Sequence, residues 1–230
     1  MSTLAIAPAT YKKLPYDPIK DFAPVGLVGS AQFALIAHPG LGTTTLPDLI
    51  KLVKNKNGQM SYGSAGIGTP HHLMMEIFLK MIDANAQHVP YRGTTPALTD
   101  LISGQISFMM SDLSASLGAI QDGKLKAYGV IAPSRIKSLP DMPTIAEAGL
   151  PGFSGSAWFS VVAPAGTPTT TVEKLNNIMT AYLRGPEAQE KLNALAITPV
   201  TSTPRELEAF LPAEIAKWAK VVKDAGVEPQ

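Results

Sequence analysis

One stretch, residues 60–80, constrains the fold of this chain more than any other. It has the sequence MSYGSAGIGTPHHLMMEIFLK, which predicts a strand over 59–63, a glycine-rich turn over 64–68, and a helix that begins at Thr69–Pro70. Thr is a favourable N-cap, and Pro fits the first helical position because its missing N–H costs nothing there. A glycine turn before a helix leaves backbone N–H groups free at the positive end of a dipole, where anions bind. Many glycine turns bind nothing, so this stretch alone does not establish a site.

Strands and helices alternate along the rest of the chain. We predict strands at 25–28, 33–37, 87–92, 105–110, 126–131, 157–163 and 197–200. The first two are either separate strands or parts of one long strand bent at Gly29–Ser30. Helices are predicted after Thr45, from Pro96, from Ser111–Asp112, over 143–148 and 172–183, from Gly185–Pro186 and after Thr203. Capping boxes are predicted at Thr45/Asp48, Thr170/Glu173 and Thr203/Glu206. This order predicts an α/β fold with mostly parallel sheets flanked by helices.

Composition excludes several classes of function. The 230 residues suit one large domain or two lobes, and a net charge of +1 gives no broad field for nucleic acid or an anionic membrane. The absence of cysteine excludes thiol nucleophiles, cysteine zinc sites and disulfides. The longest apolar run is too short to span a bilayer. We also expect no secretion signal, because no basic leader precedes an apolar core at the start of the chain.

Three predicted strand-to-helix junctions share one design. They cover residues 64–70, 93–96 and 111–114, and ligands of open α/β sheets bind at the carboxyl ends of strands. The junctions offer free helical N–H groups, one acid (Asp112) and six hydroxyls: Ser64, Thr69, Thr94, Thr95, Ser111 and Ser114. Together they predict a small polar pocket that binds a carboxylate without an arginine.

Two of the nearby side chains are open to more than one interpretation. Asp112 is placed to cap its own helix, as acids there usually do, or to accept from an amine or hydroxyl of a ligand, and the two roles are compatible. His71 lies near a helix start and is a candidate anion contact. With His72 and Glu76 it resembles a zinc motif only weakly, because adjacent histidines cannot share a helix face. We therefore predict no metal and no cofactor.

Five segments, in order, look like the Bug family of periplasmic substrate-binding proteins of tripartite tricarboxylate transporters. They are LPYDPIKDFAPVGLV, SAGIGTPHHL, HVPYRGTTPALTDLISGQISFMM, LPDMPTIAEAGLPGF and AWFSVVAPAGTP, and the resemblance covers essentially the whole chain. It implies a periplasmic binding protein type II-like, two-lobed clamshell that closes on a small organic mono- or dicarboxylate. It also implies delivery of that ligand to membrane permease subunits, with no enzymatic activity and no nucleic-acid partner.

The resemblance assigns the ligand-binding residues. The family's second ligand loop falls on Ser64, Gly66, Gly68 and Thr69, and the segment after its Pro-Tyr-basic-Gly motif falls on Gly93, Thr94 and Thr95. The strand-end pair that is usually Asp-Asn falls on Ser111 and Asp112. Together with His71 these are the predicted ligand residues. Thr94–Thr95 in place of Gly-Ala, and Ser-Asp in place of Asp-Asn, affect the expected identity of the ligand more than its class.

The start of the chain departs from the family pattern. Family members begin with a signal peptide and a strand–Pro-Pro-Gly-Gly–helix unit that forms the first ligand loop, whereas residues 2–6 here match the family's third strand. We therefore expect an N-terminally truncated protein with one complete lobe, 31–154, that carries the ligand loops. The other lobe, 1–30 and 155–230, would be incomplete and would expose Phe159, Val161 and Val162, which favours self-association. The resemblance implies a periplasmic location, and a cytoplasmic or truncated form is the alternative.

Three functions follow. The first is a carboxylate receptor that works by hinge closure. The second is an enzyme on the same scaffold, a hydrolase or isomerase that uses Ser64, His71 and Asp112. The Gly63–Gly66 segment falls short of Gly-x-Ser-x-Gly, however, and no histidine can be placed beside Ser64 from the sequence. The third is a truncated remnant that binds no ligand.

Overall fold

The computed structural model describes residues 1–136, 139–153, 155 and 157–229. The chain divides into one unit of Met1–Ala31 with Ala157–Gln230 and a second unit of Gln32–Ser156. The predicted lobe boundary at residue 154 lies outside the described residues, and the assignment of these units to two lobes stays a prediction.

The described elements follow one another in this order: a π-helical segment Ser2–Ile6, α1 Ala7–Thr10, β1 Phe22–Ala31, β2 Phe33–Ala37, a 3-10 turn Pro39–Leu41, α2 Leu46–Lys56, β3 Ser61–Ser64, α3 Pro70–Met81, β4 Gln87–Pro90, α4 Thr94–Ile102, β5 Phe108–Asp112, α5 Leu113–Gln121, β6 Lys126–Ile131, β7 Ala157–Pro164, α6 Thr169–Arg184, α7 Pro186–Ala194, β8 Ile197–Pro199 and α8 Pro204–Asp224. No helix in these ranges is long and apolar enough to cross a membrane.

The unit Gln32–Ser156 is built on a five-stranded sheet in the order β4-β3-β5-β2-β6. Strand β3 pairs in parallel with β4 and β5, so the carboxyl ends of these three strands share one edge of the sheet. Strand β2 is buried along its whole length between β5 and β6. Helix α3 packs its apolar residues onto the sheet, with Leu73, Met74 and Phe78 buried. The core thus holds the three junctions in place.

The other unit has a three-stranded sheet in the order β7-β1-β8. Helix α8 contacts β1 and buries Trp218. The indole nitrogens of Trp158 and Trp218 donate to Glu214 Oε2 over 2.8 and 3.0 Å, respectively. These bonds offset the cost of burying an acid, which is high when the acid has no partner.

The α/β class is correct, but the prediction of mostly parallel sheets is wrong. Four of the six described strand pairings are antiparallel. Only Gln32 separates β1 from β2, so these strands are not one strand bent at Gly29–Ser30, and they belong to different sheets. Strand β2 then runs against both of its neighbours, which makes the larger sheet mixed.

Two other predicted elements differ in type. Residues 2–6, matched to a strand, are π-helical, because Leu4, Ala5 and Ile6 are buried in a segment that contacts α8. Residues 143–148 form turns instead of a helix, because Thr144 makes a bridge beside Val130 in β6. In both segments, contacts with distant parts of the chain determine the secondary structure instead of local sequence preference.

Several other elements were predicted correctly from short sequence motifs. The capping boxes at Thr45/Asp48 and Thr203/Glu206 form, and β6 has the predicted bounds. The predicted box at Thr170 does not form, because α6 begins at Thr169 with Pro168 as its N-cap. Strand β5 begins at Phe108, three residues later than predicted, and α4 begins at Thr94 instead of Pro96.

Candidate functional site

The three predicted junctions meet at the carboxyl edge of β3, β4 and β5. A glycine loop (residues 64–69) joins β3 to α3, residues 91–93 join β4 to α4, and α5 follows β5 directly. Tyr91 N donates to Ser64 O over 3.0 Å, so the first two junctions are in contact. The structure therefore brings together the segments that contain all ten predicted ligand residues.

Three side chains, the His71–Thr94–Asp112 cluster, link one residue from each junction. His71 Nε2 lies 2.8 Å from Asp112 Oδ2 and 3.1 Å from Thr94 Oγ1. Thr94 Oγ1 also donates to Asp112 Oδ2 over 3.0 Å. The His71 side chain is 8% exposed and lies edge-on to Phe33, with ring centroids 5.0 Å apart, whereas Asp112 is 29% exposed. Asp112 is thus more exposed to solvent than His71.

The carboxylate of Asp112 does not cap its helix. Asp112 occupies the N-cap position of α5, but its side chain makes no capping bond and turns to His71 and Thr94. Burial alone would raise the pKa of Asp112, but the hydrogen bond and charge of His71, together with the Thr94 hydroxyl, lower it below its ordinary value. The capping interpretation is therefore wrong, and Asp112 is ionised at neutral pH.

Ser64 has a partner that the sequence analysis missed. Its Oγ lies 2.6 Å from His88 Nε2 on the neighbouring strand. The parallel register pairs Tyr62 with His88, which puts Ser64, two residues further along, on the same face of the sheet. The signal was therefore the register of β3 against β4, which a single sequence does not fix.

A stack of three rings includes this histidine: Tyr62 and His72 are buried, and His88 is half-buried. The rings of His72 and His88 stack with centroids 3.9 Å apart, and Tyr62 stacks on His88 at 4.8 Å. Tyr62 Oη donates to Glu76 Oε1, and both burial and this bond raise the pKa of Tyr62. Burial lowers the pKa of His72 and of His88 to about 4, and the charge of His88 adds to the shift at His72. Both histidines are therefore neutral at physiological pH.

His72 of the ring stack and Ser64 accept hydrogen bonds from the backbone of the glycine loop. Gly68 N donates to His72 Nδ1 over 3.1 Å, and Gly66 N donates to Ser64 Oγ over the same distance. Gly66 has φ +132°, a conformation that side-chain-bearing residues rarely adopt, so glycine is required there. The N–H groups of both glycines are thus used inside the protein, and a ligand contact of Gly66 or Gly68 stays a prediction.

Most of the predicted hydroxyl donors are also committed to internal bonds. Thr69 is the N-cap residue of α3, but its Oγ1 donates to Gly66 O over 2.7 Å instead of accepting a helical N–H. Ser111 is fully buried and donates to Asp112 O over 3.2 Å. Thr95 and Ser114, in contrast, are exposed at the starts of α4 and α5. The hydroxyls therefore mostly build the edge of the sheet.

Gly93 shapes the second junction. It is the residue before α4 and has φ +125°, which favours glycine. Apart from its chain neighbours, no atom of the described residues lies within 4 Å of the position that a Cβ would take. The open space beside Gly93 and the exposed Thr95 lie at the start of α4, whose first-turn N–H groups have no partner within the helix.

The structure does not assemble Ser64, His71 and Asp112 into one catalytic unit. Ser64 bonds to His88, whereas His71 bonds to Asp112. The depressed pKa of His88 makes it a weak base near neutral pH. The enzyme hypothesis that rests on these three residues therefore has no geometric support.

His71 and His72 have different partners, which bears on the weak zinc motif. His71 bonds to Asp112, whereas His72 stacks on His88. The Nε2 atom of His72 lies 3.9 Å from Glu76 Oε1. Among the described residues, no group of three or more His, Asp or Glu is arranged to hold a metal ion.

A separate cavity of about 690 Å³ lies at the opposite edge of the same sheet. It is lined mainly by apolar residues around the start of β6, among them Pro39, Leu125 and Met142. Lys126, at this end of β6, pairs with Ala37, whereas Asp112 pairs with Phe33 at the other end of β2. The cavity is therefore distinct from the candidate site.

Comparison with known proteins decides the family. A family model described as "Tripartite tricarboxylate transporter family receptor" matches residues 1–227. The chain belongs to this family. It is 32% identical over 225 residues to Protein BugT of Bordetella pertussis, which covers 98% of this chain and 69% of BugT. It spans 63% and 64% of two further relatives, from Pseudomonas sp. and Agrobacterium vitis.

Three solved structures show the same fold. Rpa4515 of R. palustris, described with adipate, has 34% identity and a TM-score of 0.90, over 100% of this chain and 77% of that chain. The periplasmic binding protein BugD has 33% identity and a TM-score of 0.86, with the same coverage. MatC of Rhodopseudomonas palustris, described with bound malate, has 32% identity and a TM-score of 0.82, over 96% and 76%. The predicted family and the periplasmic binding protein fold class are therefore confirmed.

Proposed function

We propose that this receptor-family chain binds a small organic mono- or dicarboxylate at the carboxyl edge of β3, β4 and β5. The observation that carries the proposal is the His71–Thr94–Asp112 cluster, which ties the three junctions together at one edge. Family membership and relatives described with adipate and malate support the same ligand class.

Backbone N–H groups are the expected carboxylate contacts. The first turns of α3, α4 and α5 begin beside the cluster, and their N–H groups have no acceptors within their own helices. Pro70, the first residue of α3, has no N–H, and Leu113 N of α5 donates to Gln32 O over 2.9 Å, so in these two helices the contacts would come from the residues that follow. A carboxylate at such a helix start is favoured by both hydrogen bonds and the helix dipole. The internal bonds of Ser64, Thr69 and Ser111 stiffen the surrounding edge, so less conformational freedom is lost on binding.

The proposal extends to partners and location. As a receptor of a tripartite transporter, the protein would deliver its ligand to membrane permease subunits through hinge closure, and it would act in the periplasm. The family assignment and the description of BugD as a periplasmic binding protein support this extension. A role without catalysis agrees with the separation of Ser64 from the His71–Asp112 pair.

A thermal-shift screen with mono-, di- and tricarboxylates tests the function. A ligand that binds only the folded state raises its stability, by about 2.7 kcal/mol at a concentration 100 times its Kd. We expect stabilisation by at least one acid, with the acid recovered unchanged after incubation. Turnover would favour the enzyme, and no response to any acid would favour the non-binding remnant.

A matched pair of variants locates the site. Thr95→Asp places a negative charge at the second position of α4, where it suits the helix dipole but repels an anionic ligand. Thr170→Asp makes the same change at the second position of α6, a helix that does not follow β3, β4 or β5. We expect both variants to fold, and only Thr95→Asp to lose the carboxylate-dependent shift. Equal shifts in the two variants would contradict this location.

A further inference from the structure

We infer that the ligand carries a hydrogen-bond donor, a hydroxyl or an ammonium group, close to its carboxylate, and that Asp112 accepts from this donor. The inference rests on the proposed function and specifies the ligand class of the same site. Hydroxy and amino carboxylates are therefore preferred over the unsubstituted acids of the same length.

The two oxygens of Asp112 have different surroundings. Oδ2 receives both the His71 and the Thr94 hydrogen bonds, at 2.8 and 3.0 Å. Within the described part of the chain no side chain donates to Oδ1, although the backbone N–H of Asp112 itself also hydrogen-bonds this carboxylate, and 29% of the side chain is exposed. A carboxylate oxygen has two lone pairs, so Oδ1 is available to accept.

The donors to Oδ2 also fix the direction of the carboxylate. Thr94 Oγ1 uses its hydrogen on Asp112, so this hydroxyl has no hydrogen left for a ligand carboxylate. His71 is buried against Phe33. Its Nε2 must carry the hydrogen of the bond to Asp112, because an ionised carboxylate can only accept. Both residues position Asp112. Because His71 Nε2 and Thr94 Oγ1 already donate to Asp112, these two atoms have no hydrogen left for a ligand.

Charge then selects the ligand. Asp112 is ionised, as its lowered pKa requires, and it lies beside the helix starts that would bind the ligand carboxylate. An unsubstituted acid would bring a second negative charge close to the first with no hydrogen between them. A hydroxyl or ammonium group on the ligand supplies that hydrogen. A site that hydrogen-bonds a substrate group rejects an analogue without it, because its own polar atom is left unpaired.

Matched probes test the inference by calorimetry and thermal shift. The panel is propionate, lactate and alanine; succinate, malate and aspartate; glutarate, 2-hydroxyglutarate and glutamate; and adipate with 2-aminoadipate. Within the best-binding chain length we expect a donor-bearing acid to bind at least tenfold more tightly than the unsubstituted one. Equal or tighter binding of the unsubstituted acid would overturn the inference and leave the carboxylate receptor intact. No binding of any acid would overturn both.

Two charge-matched variants assign the preference to its residue. Asp112→Asn keeps the shape and removes the charge, so the amino acid's advantage over the unsubstituted acid should fall at least threefold. Asp122→Asn removes a charge at the other end of α5, where Asp122 pairs with exposed Lys124, and should leave the ratio unchanged. An unaltered ratio in Asp112→Asn, in a protein that still binds carboxylates, would overturn the role of Asp112.

Discussion

Two histidines, buried His72 and half-buried His88, determine how the glycine loop is held. His72 accepts from Gly68 N through Nδ1, which requires that this nitrogen carry no proton. His88 bonds Ser64, which in turn accepts from Gly66 N. Protonation of either ring would place a charge in a stack whose centroids are 3.9 Å apart. The shape of the loop is therefore linked to the neutral state of both rings.

This linkage predicts that stability falls with acidity. The pKa of each histidine is about 4 in the folded protein and about 6.5 in the unfolded chain. The contribution is therefore complete above pH 6.5 and is lost as the pH falls from 6.5 towards 4, because only the unfolded chain takes up protons there. After allowance for partial exposure, we expect a loss of about 1–3 kcal/mol between pH 7.5 and 4.5. Urea unfolding at the two values measures it.

The control for this prediction is the double variant His72→Gln/His88→Gln, whose amides do not titrate. Its unfolding free energy should depend less on pH over the same interval. A wild-type protein as stable at pH 4.5 as at pH 7.5 would contradict the linkage.

Among the helices, α2 and α3 begin with the same residue types but use them differently. Thr45 and Thr69 both occupy the N-cap position, and each helix has a proline in its first turn. Thr45 accepts from Asp48 N and forms a complete capping box, whereas Thr69 donates to Gly66 O. The first hydroxyl stabilises a helix, and the second closes the glycine loop.

Because the two hydroxyls have different roles, the substitution Thr→Ala should have different effects at positions 45 and 69. Thr45→Ala should lower the free energy of unfolding by about 1 kcal/mol, the usual value of an N-cap, and leave ligand affinity unchanged. Thr69→Ala should weaken carboxylate binding severalfold, because the loop loses its bond to Gly66 O. Urea titration and calorimetry of the two variants separate the effects. Equal ligand affinities in both variants would show that the Thr69 bond does not matter for the site.

Local chemistry explains which elements could be predicted from the sequence. The boxes at Thr45 and Thr203 need only four neighbouring residues, so their sequence signal is sufficient. The Ser64–His88 pair and the late start of β5 depend on the pairing of strands that are distant in sequence. The role of Asp112 depended on a residue 41 positions away, His71, which a capping rule does not consider.

For the whole molecule, the exposed apolar side chains of β7 have consequences in solution. Strand β7 pairs only with β1 among the described strands and is an edge of its sheet. Phe159 and Val161 are 44% and 41% exposed on the same face of this strand. Edge strands with exposed apolar residues favour association. The expected apolar surface is therefore present at these two positions, whereas Val162 is half-buried.

We expect concentration-dependent self-association through this face. The variant Phe159→Ser/Val161→Thr should be monomeric at concentrations where the wild type is not, as measured by light scattering after size-exclusion chromatography. The control Ile67→Ser removes one exposed apolar side chain from the glycine loop and should not change the mass. A wild-type protein that is monomeric at all concentrations would contradict the prediction.

The position of β2 in the larger sheet governs the order of folding. Residues 33–37 are made early, yet their partners lie at 108–112 and 126–131, so the fully buried strand cannot complete its pairing until about a hundred further residues exist. Contacts between such distant segments form slowly, because a long loop must close first. During synthesis, the apolar segment Phe33–Ala37 therefore stays without its strand partners until residues 108–131 have been made.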